Sequence, residues 1–284
     1  VKVNLLGGYI VKCYEEKCRL LKEQLSRYAS EDVAVAFSGG VDSSLLLKIV
    51  CEAARETGKK VYGVFLRTML HPQGELEEAK QVAQETGAIF HVIEVDELEE
   101  ADIADNPADR CYRCKRYLFQ VMKEEMKLLQ VYRILEGTNE DDLHVYRPGI
   151  RAVRELGMIS PLADAGMTKE EVRRMAAEYG LTVSGKPSAP CLATRFPYGT
   201  RITYQEMQRA GEGEIFLKSL GLYNVRLRVH GKIARIETDP QDMSKLIEER
   251  DSVIEYLKKL GYTYITLDLE GFRSGSMDID LQNK

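Results

Sequence analysis

The segment Val33-Ala34-Val35-Ala36-Phe37 is a continuous apolar run that stops at Ser38-Gly39-Gly40 and gives way at Asp42 to a helical pattern reaching about Glu56. A short run of this kind fits a strand buried on both faces of a sheet. The same change of period recurs downstream. Further strands are expected over 61–66, 89–95 and 133–136, separated by an acidic helix over 75–85, a polar loop over 102–110 and a helix over about 111–129. Strands alternating with helices imply right-handed crossovers and a parallel sheet, so an α/β doubly wound sheet is the expected fold of the first half.

The flanking regions read differently. The first thirty residues suggest a helix with Leu20, Leu21, Leu25 and Tyr28 on one face. Thr168 and Glu171 form a capping-box pair for a helix reaching about Tyr179. An irregular stretch over 182–202 follows, punctuated by Pro187, Pro190, Pro197, Gly185 and Gly199. Long aperiodic loops are usually functional or disordered, and one with a cysteine between prolines and an arginine is taken as functional. Beyond it, Thr203 and Glu206 cap a helix, strands are expected over 224–230, 233–237 and 263–267, and a helix over 239–260. That order suggests a smaller α+β domain, ferredoxin-like in outline. The 284 residues thus divide into a helix over 1–30, a nucleotide-binding domain over 31–181, a cysteine loop over 182–202 and a C-terminal α+β domain over 203–284 for substrate binding or oligomerisation.

Ser38-Gly39-Gly40-Val41-Asp42-Ser43-Ser44 is the strongest local signal. At a strand's C-terminal edge, backbone N–H groups and the helix dipole favour an anion. The Ser38, Ser43 and Ser44 hydroxyls can donate to phosphate oxygens, and Gly39 and Gly40 permit close approach. Asp42 is unfavourable beside a bare phosphate and more plausibly meets it through Mg²⁺. Neither G-x-x-x-x-G-K-[ST] nor G-x-G-x-x-G occurs. A capped Gly-Gly turn is the plainer alternative, and the preceding buried strand argues against it.

Six cysteines are present. Secreted disulfide scaffolds are shorter and denser in cysteine, so metal binding or reactivity is the better first expectation. Cys13, Cys18 and Cys51 look structural. Cys111 and Cys114 form C-Y-R-C at a helix start, followed by Lys115 and Arg116, and Cys191 sits in the long loop. A thiolate near a helix N-terminus and basic residues is available to a metal or electrophile. A C-x-x-C can be half a zinc site, a redox pair or two core cysteines. Zinc would want four ligands, whereas three cysteines around one open position would suit a [4Fe–4S] cluster, although clusters usually have four thiolates. The four histidines, His71, His91, His144 and His230, show no ligand spacing.

The SGGVDS string resembles the PP-loop of the ATP-pyrophosphatase superfamily, whose members cleave ATP to AMP and pyrophosphate and adenylate a substrate. Together with Glu136-Gly137-Thr138-Asn139-Glu140-Asp141-Asp142, Pro190–Arg201, Val225-Arg226-Leu227-Arg228-Val229-His230, Ala234–Glu237 and Gly271–Met277, it is similar to the LarE family of ATP-dependent sulfur transferases from about Asp32 onward. The resemblance implies adenylation of the carboxylates of a pyridinium dicarboxylate mononucleotide. Sulfur is then installed as thiocarboxylate, toward the nickel-pincer nucleotide cofactor. One subclass of the family sacrifices a single cysteine, matching Cys191. Another has three and is held to bind a [4Fe–4S] cluster; Cys111, Cys114 and Cys191 match it. ATP and Mg²⁺ are the implied cofactors alongside the cluster.

Residue roles follow from the same resemblance. Arg226 and Arg228, two apart on one strand and so on one face, would clamp the substrate phosphate, with Glu214 and Glu237 as carboxylates of that pocket. Arg195 and Arg201 would hold the anionic substrate near the sulfur donor. Lys115 would steady the adenylate or steer a carboxylate. In isolation each is equally an ordinary surface charge.

With 40 Lys and Arg against 45 Asp and Glu, the net charge is −5, which argues against broad nucleic-acid binding. No apolar stretch approaches the ~18–20 residues that cross a bilayer, and the start lacks a cleavage-like secretory end. A cytoplasmic homo-oligomer acting on a small phosphorylated nucleotide is therefore expected. The competing readings are a cluster-dependent tRNA thiolase and a zinc-stabilised nucleotide-binding regulator.

Overall fold

A computed structural model describes residues 5–6, 9–10, 13–70, 74–145, 147–186, 190–273 and 275–277. His71, Pro187 and Ser274 lie outside the described residues, as does much of 1–12. The chain divides into two compact units. One comprises Val1–Thr68, Gly74–Glu97 and Cys111–Ser188; the other comprises Met69–Gln73, Leu98–Arg110 and Ala189–Lys284. The segment 98–110 therefore packs with the second half of the chain, although it lies among the strands and helices of the first.

In the first unit, β1 (Val33–Ala36), β2 (Val61–Arg67), β3 (Ile89–Glu94) and β4 (Arg133–Leu135) make a parallel sheet in the order β3-β2-β1-β4. Val33 is in register with Val61 on one side and Arg133 on the other, so β1 is central. Alternation along β1 supplies two cores. Val33, Val35 and Phe37 join a large cluster that includes Leu21 and Leu25 of α1 (Tyr14–Tyr28) and Leu45 to Leu47 of α2 (Val41–Thr57). Ala79 and Val82 of α3 (Glu75–Thr86) belong to the same cluster. Ala34 points the other way, into a cluster with Tyr62, Val64 and the Phe119, Met122 and Met126 side chains of α4 (Arg110–Leu128). Covering both faces is why the run is continuously apolar rather than alternating.

The α/β doubly wound expectation is met, and the helix predicted from the Thr168 capping box is present as α5 (Lys169–Glu178). Thr168 accepts from the Glu171 backbone N–H while the Glu171 side chain reaches back to the Thr168 N–H.

In the second unit, α6 (Tyr204–Ser219) starts at Thr203, which accepts from Glu206 N–H as its spacing predicts. β5 (Val225–His230) and β6 (Ile233–Thr238) form an antiparallel hairpin, and β7 (Tyr264–Leu267) pairs parallel to β6. This three-stranded mixed sheet is the smaller α+β part, without the all-antiparallel pairing of a complete ferredoxin-like sheet. The single helix expected over 239–260 is instead a short turn at Pro240–Asp242, a helix at Met243–Glu248 and a second, α7 (Arg250–Lys259). Among the described residues no helix is long and apolar enough to cross a membrane.

The two hydrogen bonds of the Thr168 box close the exposed end of α5, and losing an N-cap costs about 1 kcal/mol (roughly 0.5–2). Thr168→Ala should lower unfolding free energy by that amount in urea, and Thr168→Ser should restore most of it.

Candidate functional site

In the first unit, β1 carries Ser38 to the C-terminal edge of the sheet, with Phe37 N–H still donating to Val64 C=O (2.9 Å). Gly39 has a left-handed backbone (φ 69°), and a Cβ there would lie 3.2 Å from the Ala79 Cβ of α3. Conformation and space both require glycine. Gly40 is the N-cap of α2 and offers no side-chain acceptor, so the first N–H groups of the helix stay uncapped by protein side chains. Ser43 Oγ donates to Gly40 C=O (3.2 Å) and accepts from Ser38 N–H (3.3 Å), which sets the loop's curvature. The Ser44 hydroxyl is fully buried and has no hydrogen-bond partner among the described residues. Uncapped N–H groups, two adjacent glycines and an orphaned hydroxyl fit the phosphates of ATP.

Asp42 is met by a lysine and an amide rather than left bare. Its carboxylate accepts from Lys169 Nζ in a short contact and from Asn139 Nδ2 (3.1 Å). An Mg²⁺ at Asp42 would therefore compete with Lys169. The loop carrying Asn139 comes close because Gly137 lets it: a Cβ there would meet Asp42 Cβ at 3.1 Å. Glu136 of the same loop is buried and accepts from Thr138 N–H (3.1 Å), Thr138 Oγ1 (2.8 Å) and, in a short contact, Ser160 Oγ. Lys115 Nζ lies 3.7 Å from it. The Asp164 carboxyl is held above its ordinary range, first by partial desolvation and then by the Glu136 charge. Glu136 and Asn139 lie in the loop that the motif pattern marks, whereas nothing in that pattern marks Lys169. A usable signal existed for Lys169, because a lysine in the first turn opposes the helix dipole and needs another reason to be there.

Cys111 and Cys114 stand three apart in the first turn of α4 and so share a face; the first is exposed, the second half-buried. Cys191 belongs to the second unit and is half-buried. Thiolates are the donor type that iron–sulfur clusters use, normally four to a cluster, so these cysteines suit such a group by donor chemistry and leave one position open. Among the described residues, however, no three His, Cys, Asp or Glu side chains are gathered as a metal-holding group. Burial pushes the Cys51 thiol up to about 12, in keeping with a core residue.

The second unit holds the predicted arginines in a buried charge cluster. Arg195, 2% exposed, forms a two-pronged ion pair with Glu214 (2.7 and 2.8 Å). Its remaining N–H groups go to Pro190 C=O (3.1 Å), Cys191 C=O (3.3 Å) and Thr194 Oγ1 (2.8 Å). Glu214 also accepts from Leu227 N–H (3.0 Å). Arg228 pairs with the fully buried Glu237 (2.9 and 2.8 Å) and donates to Thr194 C=O (3.0 Å). Glu237 is shared with Arg235 (3.2 Å) and Ser276 Oγ (2.7 Å).

Arg195 and Arg228, expected as substrate contacts, have their N–H groups on internal carboxylates and carbonyls in this structure. Arg201 is exposed and faces Asp105 (3.3 Å) and Glu99 (3.8 Å). Arg226 is the exception: it is half-buried, donates to Val225 C=O (2.8 Å) and lies over the Phe272 ring (5.1 Å), and no described carboxylate pairs with it. Burial first, then the Arg195 charge, hold its pKa below the usual range. A guanidinium in that position favours an incoming anion.

The NAD synthase family model matches residues 13–114. An uncharacterized protein of Synechocystis is 37% identical over 246 residues, covering 86% of this chain and 91% of that protein. The pyridinium-3,5-bisthiocarboxylic acid mononucleotide synthase of Lactiplantibacillus plantarum is 35% identical over 246 residues, covering 87% of this chain and 88% of the synthase. A tRNA-specific 2-thiouridylase of Rickettsia bellii is 25% identical over 194 residues, covering only 55% of this chain and 52% of its own.

Glu75, in the first turn of the helix that packs on Gly39, yields a pH test. Burial pushes its carboxyl up from 4.5 to about 7, against the pull of Lys186 and with Glu78 adding to the rise. The folded state then holds this proton more tightly than the unfolded chain, so the stabilisation is complete below pH 4.5 and lost as pH rises through about 7. Glu75→Gln should flatten that part of the stability-against-pH curve; an unchanged slope would show that Glu75 does not set it.

Proposed function

The chain belongs to the LarE family of PP-loop ATP pyrophosphatases, and we propose that it adenylates the carboxylates of a pyridinium dicarboxylate mononucleotide and converts them to thiocarboxylates, a step toward the nickel-pincer nucleotide cofactor. The observation that carries the ATP half is the Ser38–Ser44 cradle. Likeness across nearly the full length of a bisthiocarboxylate synthase favours a small nucleotide over tRNA, since the thiouridylase likeness stops at about half the chain.

In this reading the uncapped N–H groups of α2, with Gly39 and Gly40, hold the pyrophosphate end of ATP. A substrate carboxylate oxygen attacks the α-phosphorus and pyrophosphate leaves. Lys169, freed from Asp42 as nucleotide enters, offsets phosphate charge, and Asp42 is the carboxylate within reach of an ATP-bound Mg²⁺. Lys115, restrained by Glu136, steadies the acyl-adenylate. Arg226 takes the phosphate of the mononucleotide, so the second unit is the substrate unit. A sulfur nucleophile then attacks the acyl carbon, AMP departs with the original oxygen, and a thiocarboxylate remains.

Cys111, Cys114 and Cys191 would hold a [4Fe–4S] cluster, which when bound supplies an open iron for an exogenous sulfide. The alternative is sacrificial: Cys191 itself gives up its sulfur and becomes dehydroalanine. A cytoplasmic homo-oligomer is the setting we infer.

Anaerobic protein given ATP, Mg²⁺, sulfide and the dicarboxylate mononucleotide should release pyrophosphate and yield thiocarboxylate. Cys191→Ser should abolish thiocarboxylate formation while leaving pyrophosphate release. No pyrophosphate from this substrate, or thiolated tRNA instead, would overturn the proposal. Loss of H₂S from Cys191 by mass spectrometry would select the sacrificial route.

Arg226→Ala should raise KM for the mononucleotide about 10–100-fold, the weight of roughly 1.5–3 kcal/mol for hydrogen bonds to a charged group. The KM for ATP should not change.

A further inference from the structure

We propose that Arg195 is a positioning residue for Cys191 rather than an anchor for substrate. The inference rests on the reading that Cys191 presents or holds the transferable sulfur. The geometry is specific. One nitrogen of the Arg195 guanidinium, Nη1, donates to Pro190 C=O (3.1 Å) and Cys191 C=O (3.3 Å), the carbonyls of the two peptide units that flank the Cys191 Cα. Holding both peptide planes from one point fixes the backbone of Cys191 (φ −46°, ψ 137°), and with it the direction in which Cβ and sulfur leave the chain.

The next turn is tied to the same point. Thr194 Oγ1 donates to Cys191 C=O (2.7 Å) and accepts from Arg195 Nη1 (2.8 Å), while Arg228 holds Thr194 C=O (3.0 Å). Both arginines act with their charge already balanced, by Glu214 and Glu237. Arg195 has its Nε and Nη2 on Glu214 and its Nη1 on three loop oxygens, and it is 2% exposed. A substrate anion would find neither a free face nor an unbalanced charge there. Arg226, which lacks a carboxylate partner among the described residues, supplies that instead. Arg195 therefore acts on the reaction through the Cys191 backbone.

The test uses Arg195→Lys, which keeps the buried charge beside Glu214 but cannot hold the guanidinium fork, with Glu214→Gln as a second variant should the first fail to fold by circular dichroism. A misplacement of about 1 Å can cost on the order of 100-fold, so thiocarboxylate formation at saturating substrate should fall roughly 10–100-fold with KM for the mononucleotide unchanged. Independently of any substrate, iodoacetamide labelling of Cys191, followed on its own peptide, should become faster as the loop loosens. A rise in KM at constant kcat would make Arg195 a substrate anchor and overturn the proposal. Unchanged kcat and labelling rate in a folded variant would reduce it to a purely structural pair. If the wild-type protein forms no thiocarboxylate, the functional reading fails, and the labelling comparison still judges the clamp.

Discussion

β1 is covered by apolar side chains on both faces, and this requirement places the rest of the first unit. A strand in that position can only be central, with parallel neighbours on each side and helices above and below. Its N–H and C=O groups are then used by β2 and β4, so the chain leaves the sheet at one edge, at Ser38. The loop after β4 emerges at the same edge. Gly39 and Gly137 carry this closeness furthest, since α3 and the PP-loop, and the Asn139 loop and Asp42, approach so closely that a Cβ at either glycine would lie only 3.1–3.2 Å from its neighbour. The bringing together of Ser38–Ser44 with Asp42, Lys169 and Glu136 follows from how tightly those segments stack.

The second unit is organised by charge instead. Two buried carboxylates, Glu214 and Glu237, each hold an arginine at nearly zero exposure. Burying an ion pair is costly unless the remaining donors are satisfied, and here they are satisfied by the carbonyls of the cysteine loop. The same bonds that offset desolvation shape the segment from Pro190 to Thr194. Arg226 is left outside the pairing, and this gives the cluster a local excess of positive charge in a chain whose net charge is −5.

Much of the fold was legible along the chain. The continuous apolar run of β1, the change of period into α2, and the Thr-x-x-Glu boxes at Thr168 and Thr203 are local signals, and each element formed where it was expected. The helix expected over 239–260 broke at Glu249, because an amphipathic pattern cannot report a bend that packing imposes. Residues 102–110 read as a loop of the first domain, yet Asn106 Nδ2 donates to Phe196 and Pro197 C=O and Arg110 stacks over Tyr198, which binds the segment to the second unit. Contacts separated by ninety residues leave no periodicity to read.

The sequence by itself determined the class of chemistry: a Ser-Gly-Gly loop of PP-loop type at the end of a buried strand, a C-x-x-C pair and a loop cysteine apart from the buried Cys51, and a family likeness carried by whole motifs. Those are properties of residue type and local spacing. Only the tertiary structure decided which charges are free. Arg195, Arg226 and Arg228 are indistinguishable as letters, and so are Lys115 and Lys169. Whether a guanidinium meets a ligand or a carboxylate depends on what a distant strand or helix brings within 3 Å, and Glu214 and Glu237 bring that partner to two of the three arginines.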